Sequence, residues 1–276
     1  MLTLLWGTNW PLFPLAMQEV SVWTFRAVCT LGSGLALLGF ARFKGQDLRV
    51  PRRYWLTVAT AAVLYLGVWN IATGYAAVLI PTGQAAVLGF TMPLWAALGA
   101  RLFFREKLGG RALAAVALTA VGVGCLLSKG WTHYASAPLG FGAGLLAGAG
   151  WAAGTLVLKR HPVPVPSAVL TAWQLLFIAV PLTLLALAFG SRDWFVPSWQ
   201  TMTVIGYITL VPMAIGNVAW FTLVERLPSR IATLSPILVP VVAMFSGALV
   251  RHEPLGLVEG AAMVFCGLGL VLGMRR

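Results

Sequence analysis

Residues 90–108 read FTMPLWAALGARLFFREKL, an apolar stretch with a proline near its start and Arg-Glu-Lys close to its end. Residues 237–255 read ILVPVVAMFSGALVRHEPL and repeat this pattern 147 positions later. At this offset the coinciding pairs include Pro81 with Pro228, Pro93 with Pro240, Glu106 with Glu253, and Asn70 with Asn217. The chain is therefore predicted to contain one structural module twice.

The composition is typical of a membrane protein. Of the 276 residues, 59% are hydrophobic and 9% are charged, whereas a soluble domain has about 25% charged residues. Mean hydropathy is +0.88. The 19 Lys and Arg exceed the 7 Asp and Glu and give a net charge of +12, but they lie between the hydrophobic runs. Because they form no single patch, they indicate membrane topology rather than a nucleic-acid partner.

Ten hydrophobic stretches are candidates to cross the roughly 30 Å hydrocarbon core as helices. None shows the two-residue alternation of a barrel strand, and a helix satisfies its backbone polar groups within the segment. The predicted fold is an all-α integral membrane protein with ten transmembrane helices and short connections. The predicted spans are 2–18, 20–41, 54–78, 81–104, 111–128, 138–158, 165–189, 200–224, 228–250 and 255–274.

Positive charges predict the orientation of these spans, because cytoplasmic loops carry an excess of Lys and Arg. With the N-terminus inside, 15 of these residues lie in inner loops and termini, and 3 lie in outer loops. Both termini are therefore predicted to be cytoplasmic. The first residues have neither a basic start nor a small-residue cleavage site, so we expect a retained span rather than a signal peptide.

The repeat predicts how the two halves are related. Five spans in residues 1–130 are followed by five in residues 138–276. An odd number of crossings inverts the second copy, so a pseudo-two-fold axis is expected in the membrane plane, with alternating access around one central site. Pro93 and Pro240 fall near the middle of their spans and are candidate hinges; the alternative is a static kink.

Three features resemble one transporter family. They are LWGTNWPLFPLA at residues 5–16, Arg26 early in the second span, and in each half a central proline followed 13 residues later by a glutamate. The whole chain is similar to the drug/metabolite transporter (DMT) superfamily, specifically its ten-helix EamA-type transporters. This resemblance implies a carrier of the bacterial cytoplasmic (inner) membrane, in many relatives an exporter of amino acids or other small metabolites. It also implies a cavity walled by spans one, three, four, six, eight and nine. Other relatives carry sugar derivatives or drugs, so the substrate does not follow from the fold.

Polar side chains inside hydrocarbon are costly and mark candidate sites. Asn70 and Asn217 flank the middle of the membrane, where they either contact substrate or hydrogen-bond between helices. Tryptophans suit stacking of apolar or cationic solutes, although many only pack or anchor. The candidate substrate-binding residues are Trp6, Asn9, Trp10, Asn70, Gln84, Thr91, Trp95, Trp151, Asn217, Trp220 and Ser235.

The charged residues within or at the ends of spans are candidates for gating. Arg26 either binds a substrate carboxylate or snorkels to the headgroups; snorkelling is favoured because its counterpart, Trp173 or Gln174, carries no charge. Glu106 and Glu253 end their spans beside basic residues, which indicates gate ion pairs or, equally, simple snorkelling at a helix terminus.

Proton coupling commonly needs a buried acid that titrates near neutrality. No Asp or Glu lies at mid-depth in a predicted span, and Glu259, in the outer third of the last one, comes nearest. Glu259 is therefore the coupling candidate. The alternatives are a gate acid that titrates, or facilitated transport driven by the substrate gradient alone.

Other functional classes find little support. The three cysteines have no CxxC spacing, and there is no HExxH, DxxD or glycine-rich phosphate loop after a strand. We therefore expect no cofactor, metal or catalytic residue, and an integral-membrane enzyme is disfavoured. The sequence predicts a secondary transporter that exports small amphipathic metabolites, with amino acids, including aromatic ones, as candidate substrates. The alternative is a multidrug, cation or other metabolite permease of the same fold. The expected partners are the substrate and membrane lipid, with a monomer or homodimer as the assembly.

Overall fold

The computed structural model describes residues 2–104, 109–190, 196–217, 219, 239–253 and 255–274. Within these ranges every regular element is helical, which confirms the predicted all-α class. The α-helices are α1 (Leu2–Gly7), α2 (Leu12–Ala16), α3 (Val22–Phe43), α4 (Trp55–Ala61), α5 (Val68–Leu79), α6 (Thr82–Gly89), α7 (Met92–Phe104), α8 (Gly110–Ser136), α9 (Pro138–Arg160), α10 (Ser167–Phe189), α11 (Trp199–Ile208), α12 (Val239–Arg251) and α13 (Leu257–Met274).

Two stretches of π-helix continue these helices without a break. Ala62–Gly67 joins α4 to α5, and Thr209–Ile215 follows α11. A π-helical segment shifts the hydrogen-bond partner by one residue, so some carbonyl groups are left to other donors. The first residues of the two segments are 147 positions apart, the offset found in the sequence.

Several helical stretches in the described ranges fit a membrane. Val22–Phe43, Arg52–Leu79, Pro138–Leu158 and Ser167–Phe189 are long and apolar enough to cross one. Shorter apolar helices cover Leu113–Cys125, Trp199–Ile215, Val239–Arg251 and Leu257–Gly269. The chain is thus a multi-pass membrane protein.

The first predicted span, 2–18, is not one continuous helix. α1 ends at Gly7 and α2 begins at Leu12. Pro11 has no N–H to donate to the carbonyl of Gly7, four residues earlier, so the helical hydrogen-bond ladder is interrupted there. The first predicted span therefore contains two short helices, and the turn between them takes Asn9 and Trp10 out of regular helix.

The fourth predicted span, 81–104, is also broken. α6 ends at Gly89 and α7 begins at Met92. Pro93 cannot donate to the Gly89 carbonyl, so the break falls where its missing N–H is needed. Pro240 is the second residue of α12, and the residues just before Val239 lie outside the described ranges.

Three helix pairs pack across the two halves: α3 along α10, α6 along α12, and α8 along α13. In the first and third pairs the two helices are equivalent at the 147-residue offset, whereas the counterpart of α12 in the first half is α7. α5 lies against α9, and α1 and α2 lie against the second π-helical segment and α11, respectively.

Glycines let α8 and α13 approach closely. A Cβ on Gly122 would lie 2.5 Å from Cys266 Sγ, and a Cβ on Gly269 would lie 2.4 Å from Thr119 Oγ1. Gly122 and Gly269 are 147 residues apart, and so are Thr119 and Cys266. The two contacts are therefore the same contact made once from each half, and small residues are required at both positions.

Candidate substrate-binding site and gate

Arg26 lies in the first turns of α3 and is only 2% exposed. Its Nη1 donates to Asn70 Oδ1 at 3.3 Å and its Nη2 donates to Thr73 Oγ1 at 3.0 Å. Its Cζ lies 4.4 Å from the ring centroid of Phe13 and 5.1 Å from that of Phe25. The Arg26 guanidinium is therefore enclosed between α2 and α5 and does not reach the protein surface.

The two asparagines have the same backbone role in their respective halves. Asn70 Nδ2 donates to the Leu66 carbonyl at 2.8 Å, and Asn217 Nδ2 donates to the Met213 carbonyl. Both acceptors belong to the π-helical segments, whose carbonyls need extra donors. Asn70 has a second bond, because its Oδ1 accepts from Arg26.

Other side chains also satisfy the second π-helical segment. Trp6 Nε1 donates to the Pro212 carbonyl at 3.0 Å, and Ser33 Oγ donates to the Thr209 carbonyl at 2.8 Å. The predicted site residue Trp6 therefore ties α1 to this segment. Nearby, Thr8 Oγ1 lies 3.2 Å from Tyr207 Oη.

Aromatic rings form a connected line, here called the aromatic row, consisting of Phe13, Trp10, Trp69, Trp151 and Tyr65. Successive ring centroids are 5.6, 6.3, 4.6 and 4.3 Å apart. The row starts at Phe13, beneath the Arg26 guanidinium, and brings together two predicted site residues, Trp10 and Trp151. Trp69 lies at the centre of the row.

The break between α6 and α7 places Thr91 and Trp95 together. Thr91 is fully buried, and its Oγ1 donates to the Leu88 carbonyl at 2.6 Å. The same oxygen accepts from Trp95 Nε1 at 3.1 Å. These predicted site residues thus bond each other across the break.

Asn9 lies in the turn between α1 and α2. Its Oδ1 is buried and has no hydrogen-bond partner among the described residues. A buried amide oxygen without a donor is costly, so this atom is a candidate acceptor for a ligand.

Glu253 caps the N-terminus of α6. Its Oε1 accepts from the backbone N–H of Thr82 at 2.9 Å, its Oε2 accepts from the Thr82 hydroxyl at 2.9 Å, and the N–H of Gly83 donates to Oε2 at 3.3 Å. A carboxylate is favoured at this end of a helix dipole. Arg251 Nε lies 3.7 Å from Glu253 Oε1.

The backbone around Glu253 is shaped for this contact. His252 has φ of 53°, in the left-handed region, so the chain turns sharply after α12. A Cβ on Gly247 would lie 2.6 Å from Glu253 Oε2 and 3.0 Å from Thr82 Oγ1. Position 247 therefore has room only for glycine while the carboxylate bonds Thr82.

Glu259 lies beside the same end of α6 and is 2% exposed. Its Oε2 accepts from the N–H of Gly256 at 3.1 Å, and its Oε1 accepts from Gln84 Nε2 at 3.4 Å. The predicted coupling residue and the predicted site residue Gln84 are thus neighbours. Two carboxylates from the second half hold the first turn of α6.

A third carboxylate caps a helix of the other half. Glu19, between α2 and α3, accepts from the N–H and the hydroxyl of Ser198, which is the N-cap of α11. Hydrogen bonding from Ser198 lowers the pKa of the Glu19 carboxyl. The sequence pattern gave no signal for this pair beyond a serine directly before a helix.

A cavity of about 740 Å³ lies away from these residues, between α5, α9 and α10. Its wall is apolar and includes Val68, Tyr75, Leu146 and Ile178. None of the predicted site residues lines it. Leu146 is 56% exposed, so the cavity is an apolar groove open to the protein surface.

Some predicted residues lie outside the described ranges. Among the candidate site residues these are Trp220 and Ser235, and among the candidate gate residues Glu106. Within the described ranges no three His, Cys, Asp or Glu side chains come close enough to hold a metal ion.

The sequence of the whole chain matches one family model twice. The model of the EamA-like transporter family covers residues 1–128 and 138–275. The chain belongs to the EamA-like transporter family. The resemblance to EamA-type transporters is confirmed, and the protein is a membrane transporter rather than an enzyme.

Two relatives and one solved structure resemble this EamA transporter along its length. The uncharacterized transporter YvbV of Bacillus subtilis is 25% identical over 98% of this chain and 88% of its own. The uncharacterized inner membrane transporter YedA of Escherichia coli is 26% identical over 98% of this chain and 87% of its own. A protein of known crystal structure superposes with a TM-score of 0.71 at 19% identity, over 100% of this chain and 96% of its own, which supports the fold alone.

Proposed function

We propose that this EamA transporter is a carrier of ten spans, built from two inverted five-helix repeats, residues 1–130 and 138–276, with both termini in the cytoplasm. The two family matches support the division of the chain. Further support comes from contacts that recur at the 147-residue offset: the π-helical segments with their asparagines, and the glycine contacts of α8 and α13. Two matched halves can exchange inward-open and outward-open states of similar energy.

In this topology the first turn of α6 and the end of α12 lie at the outer face. Glu253 and Glu259 then hold the outer end of the transporter closed, because both bond residues of α6. Two helix breaks divide the helices next to this contact: one separates α1 from α2, and the other separates α6 from α7. We propose that outward opening separates Glu253 from Thr82 and moves α6 as a unit about the break next to Pro93.

The substrate class rests on the aromatic row. The five rings of the row follow one another from the Arg26 guanidinium, and Trp69 and Trp151 are only partly buried. Such a row binds the apolar part of a small solute through stacking and area burial. We therefore propose small amphipathic metabolites as substrates, with amino acids, including aromatic ones, as the first candidates, and export as the direction.

Coupling is proposed at Glu259. It is the one buried carboxyl among the described residues, and its bonds to Gln84 and Gly256 link it to the contact that must open. Protonation would weaken its acceptor oxygens and so favour release of α6. A pH gradient would then drive or modulate exchange.

Counterflow in proteoliposomes tests this function. Vesicles loaded with unlabelled aromatic amino acids, polyamines, nucleosides or cationic drugs receive the same labelled solute outside, with and without a pH gradient. We expect saturable counterflow of amino acids, and a gradient dependence that is lost in Glu259→Gln. Counterflow of cationic drugs alone would indicate the multidrug permease, and linear unsaturated flux would indicate a channel.

A further inference from the structure

Arg26 is a buried cation that no carboxylate neutralises in the described part of the chain. Its hydrogen-bond partners there, Asn70 and Thr73, are neutral, and its Nε–H has none. A charged side chain inside a membrane protein is expensive and is normally paired or functional. Neutral oxygens and two aromatic faces stabilise it only in part.

We propose that Arg26 is the carboxylate-binding residue of this transporter, with Asn70 and Thr73 holding the guanidinium in position. The proposal rests on the carrier function above and names the chemistry of its substrate: a small carboxylate whose apolar part lies along the aromatic row. A guanidinium binds a carboxylate through two parallel N–H···O bonds. Such a ligand supplies the missing negative charge.

The position of Arg26 sets the order of the substrate's groups. The guanidinium lies over Phe13, and the row continues from Phe13 to Trp10 and Trp69. A carboxylate bound at Arg26 therefore directs the rest of the molecule toward these rings. An apolar or aromatic tail fits this path better than a sugar, which would leave its hydroxyl groups facing aromatic carbon.

A second unpartnered polar atom belongs to the residue that precedes Trp10 of the row. Asn9 Oδ1 is a buried acceptor with no donor among the described residues, and Asn9 directly precedes Trp10. A substrate ammonium is a strong donor for such an oxygen. Together the cation and the acceptor favour a zwitterion over a simple carboxylate.

The described conformation closes this subsite. Phe13 covers one face of the guanidinium, and Phe25 lies against it. Val22 packs closely on Gly74 beside the guanidinium: a Cβ on Gly74 would lie 2.9 Å from Val22 Cγ1. Entry of a carboxylate therefore requires Phe13 to move with α2, a five-residue helix that follows the break at Pro11. Asn70 and Thr73 each accept one N–H of the guanidinium, so the Nε–H and the remaining Nη N–H groups stay available to the carboxylate.

Competition among matched analogues tests the proposal. Binding is measured as the rise in Tm of the purified protein in detergent. The three ligands are L-phenylalanine, 3-phenylpropionate, which lacks the ammonium, and 2-phenylethylamine, which lacks the carboxylate. We expect phenylalanine to bind roughly tenfold to hundredfold more tightly than phenylethylamine, the effect of a charge-assisted hydrogen bond. Arg26→Gln should remove this preference, whereas Arg42→Gln, at the exposed end of the same helix, should keep it.

Asn70→Asp guards against a folding defect in Arg26→Gln. It places an internal carboxylate beside the guanidinium at nearly the same volume, and it removes the Nδ2–H bond to the Leu66 carbonyl, so its folding is checked by size-exclusion chromatography and circular dichroism. The folded variant should lose its preference for phenylalanine over phenylethylamine. Unchanged preference in folded Asn70→Asp or Arg26→Gln protein would overturn the proposal. Equal affinity of the wild type for phenylalanine and phenylethylamine would also overturn it.

Failure of the carrier function gives a different result. If carboxylates stabilise the wild type through Arg26 but no solute shows counterflow in vesicles, the subsite stands and the carrier proposal fails. If phenylethylamine shows counterflow and carboxylates neither bind nor compete, the carrier proposal stands and the Arg26 subsite fails.

Discussion

The two halves of the chain agree in their backbone and differ in their polar side chains. Asn70 and Asn217 make the same bond to a π-helical carbonyl. At the position of Arg26, however, the second half has Trp173, whose Nε1 donates to the Leu48 carbonyl at 2.7 Å. One position holds a buried cation and its equivalent holds an indole that ties down a loop.

This difference separates the requirements of the fold from those of the site. In the proposed inverted arrangement, features that the two halves need to interconvert between states are expected twice, because each half takes either conformation. A substrate has no such symmetry, so the residue that binds its charge is needed only once. Features found in both halves are thus expected to affect folding equally, and features found in one half to affect transport.

The largest effect is expected from substitutions that break the matched contact between α8 and α13. Gly122→Leu and Gly269→Leu should each destabilise the protein by about 3 kcal/mol, because the new side chain meets backbone of the facing helix as well as Sγ or Oγ1. Thermal unfolding in detergent measures the loss. Gly124→Leu and Gly267→Leu are the controls, since a Cβ at either position meets nothing within 4 Å. A large loss for one glycine and none for its mate would contradict the matched packing.

The next effect concerns the outer contact. Glu253→Gln removes the charge from several hydrogen bonds to α6, worth about 2 kcal/mol, and Gly247→Ala pushes the carboxylate away from Thr82. Both should raise the rate at which an impermeant thiol reagent labels Ala77→Cys, a buried position on α5, by roughly tenfold or more.

Gly260→Ala is the control for Gly247→Ala, because its Cβ meets nothing within 4 Å. Unchanged labelling in both Glu253→Gln and Gly247→Ala would show that this contact does not hold the gate.

The asparagines give a smaller and unequal effect. Asn217→Ala removes one bond to a carbonyl, about 1 kcal/mol, whereas Asn70→Ala also removes a partner of buried Arg26 and should cost about 2 to 3 kcal/mol. Both variants should remain folded and inserted, with counterflow impaired more in Asn70→Ala. Equal losses of stability and flux would argue against a special role for the first half.

The smallest effect is the pH dependence of Glu19. Because its folded pKa is lowered, its stabilisation is present above the unfolded pKa of about 4.3 and is lost as the pH falls through the lower folded value. The Tm of the wild type should exceed that of Glu19→Gln near pH 6, and the two should converge at low pH. A constant difference across this range would rule out the carboxylate as its source.

The sequence predicted the features that arise from composition and repetition. Hydropathy located the apolar helices, and the proline-to-glutamate spacing found in each half was one of three features that resemble the family shown by the family model. The break next to Pro93 follows from a missing N–H and is therefore visible in sequence, while that before Leu12 went unrecognised although Pro11 gives the same signal.

The remainder depends on contacts between distant residues. The partner of Glu253 is Thr82, 171 positions away, so spacing could not distinguish a helix cap from an ion pair. Arg26 lies close to the start of its predicted span, and this position favoured snorkelling to the headgroups. In the structure its guanidinium instead points toward Phe13 and Asn70. The pairing of Gln84 with Glu259 likewise needed the packing of α6 against α13.

The central claim is that the halves cross the membrane in opposite directions, and labelling of two single cysteines tests it most directly. Gly109→Cys, before α8, and Leu255→Cys, before α13, are introduced singly after Cys29, Cys125 and Cys266 are replaced by alanine. In intact cells an impermeant thiol reagent should label Leu255→Cys and should reach Gly109→Cys only after the membrane is permeabilised. Labelling of both positions from the same side would contradict the inverted arrangement.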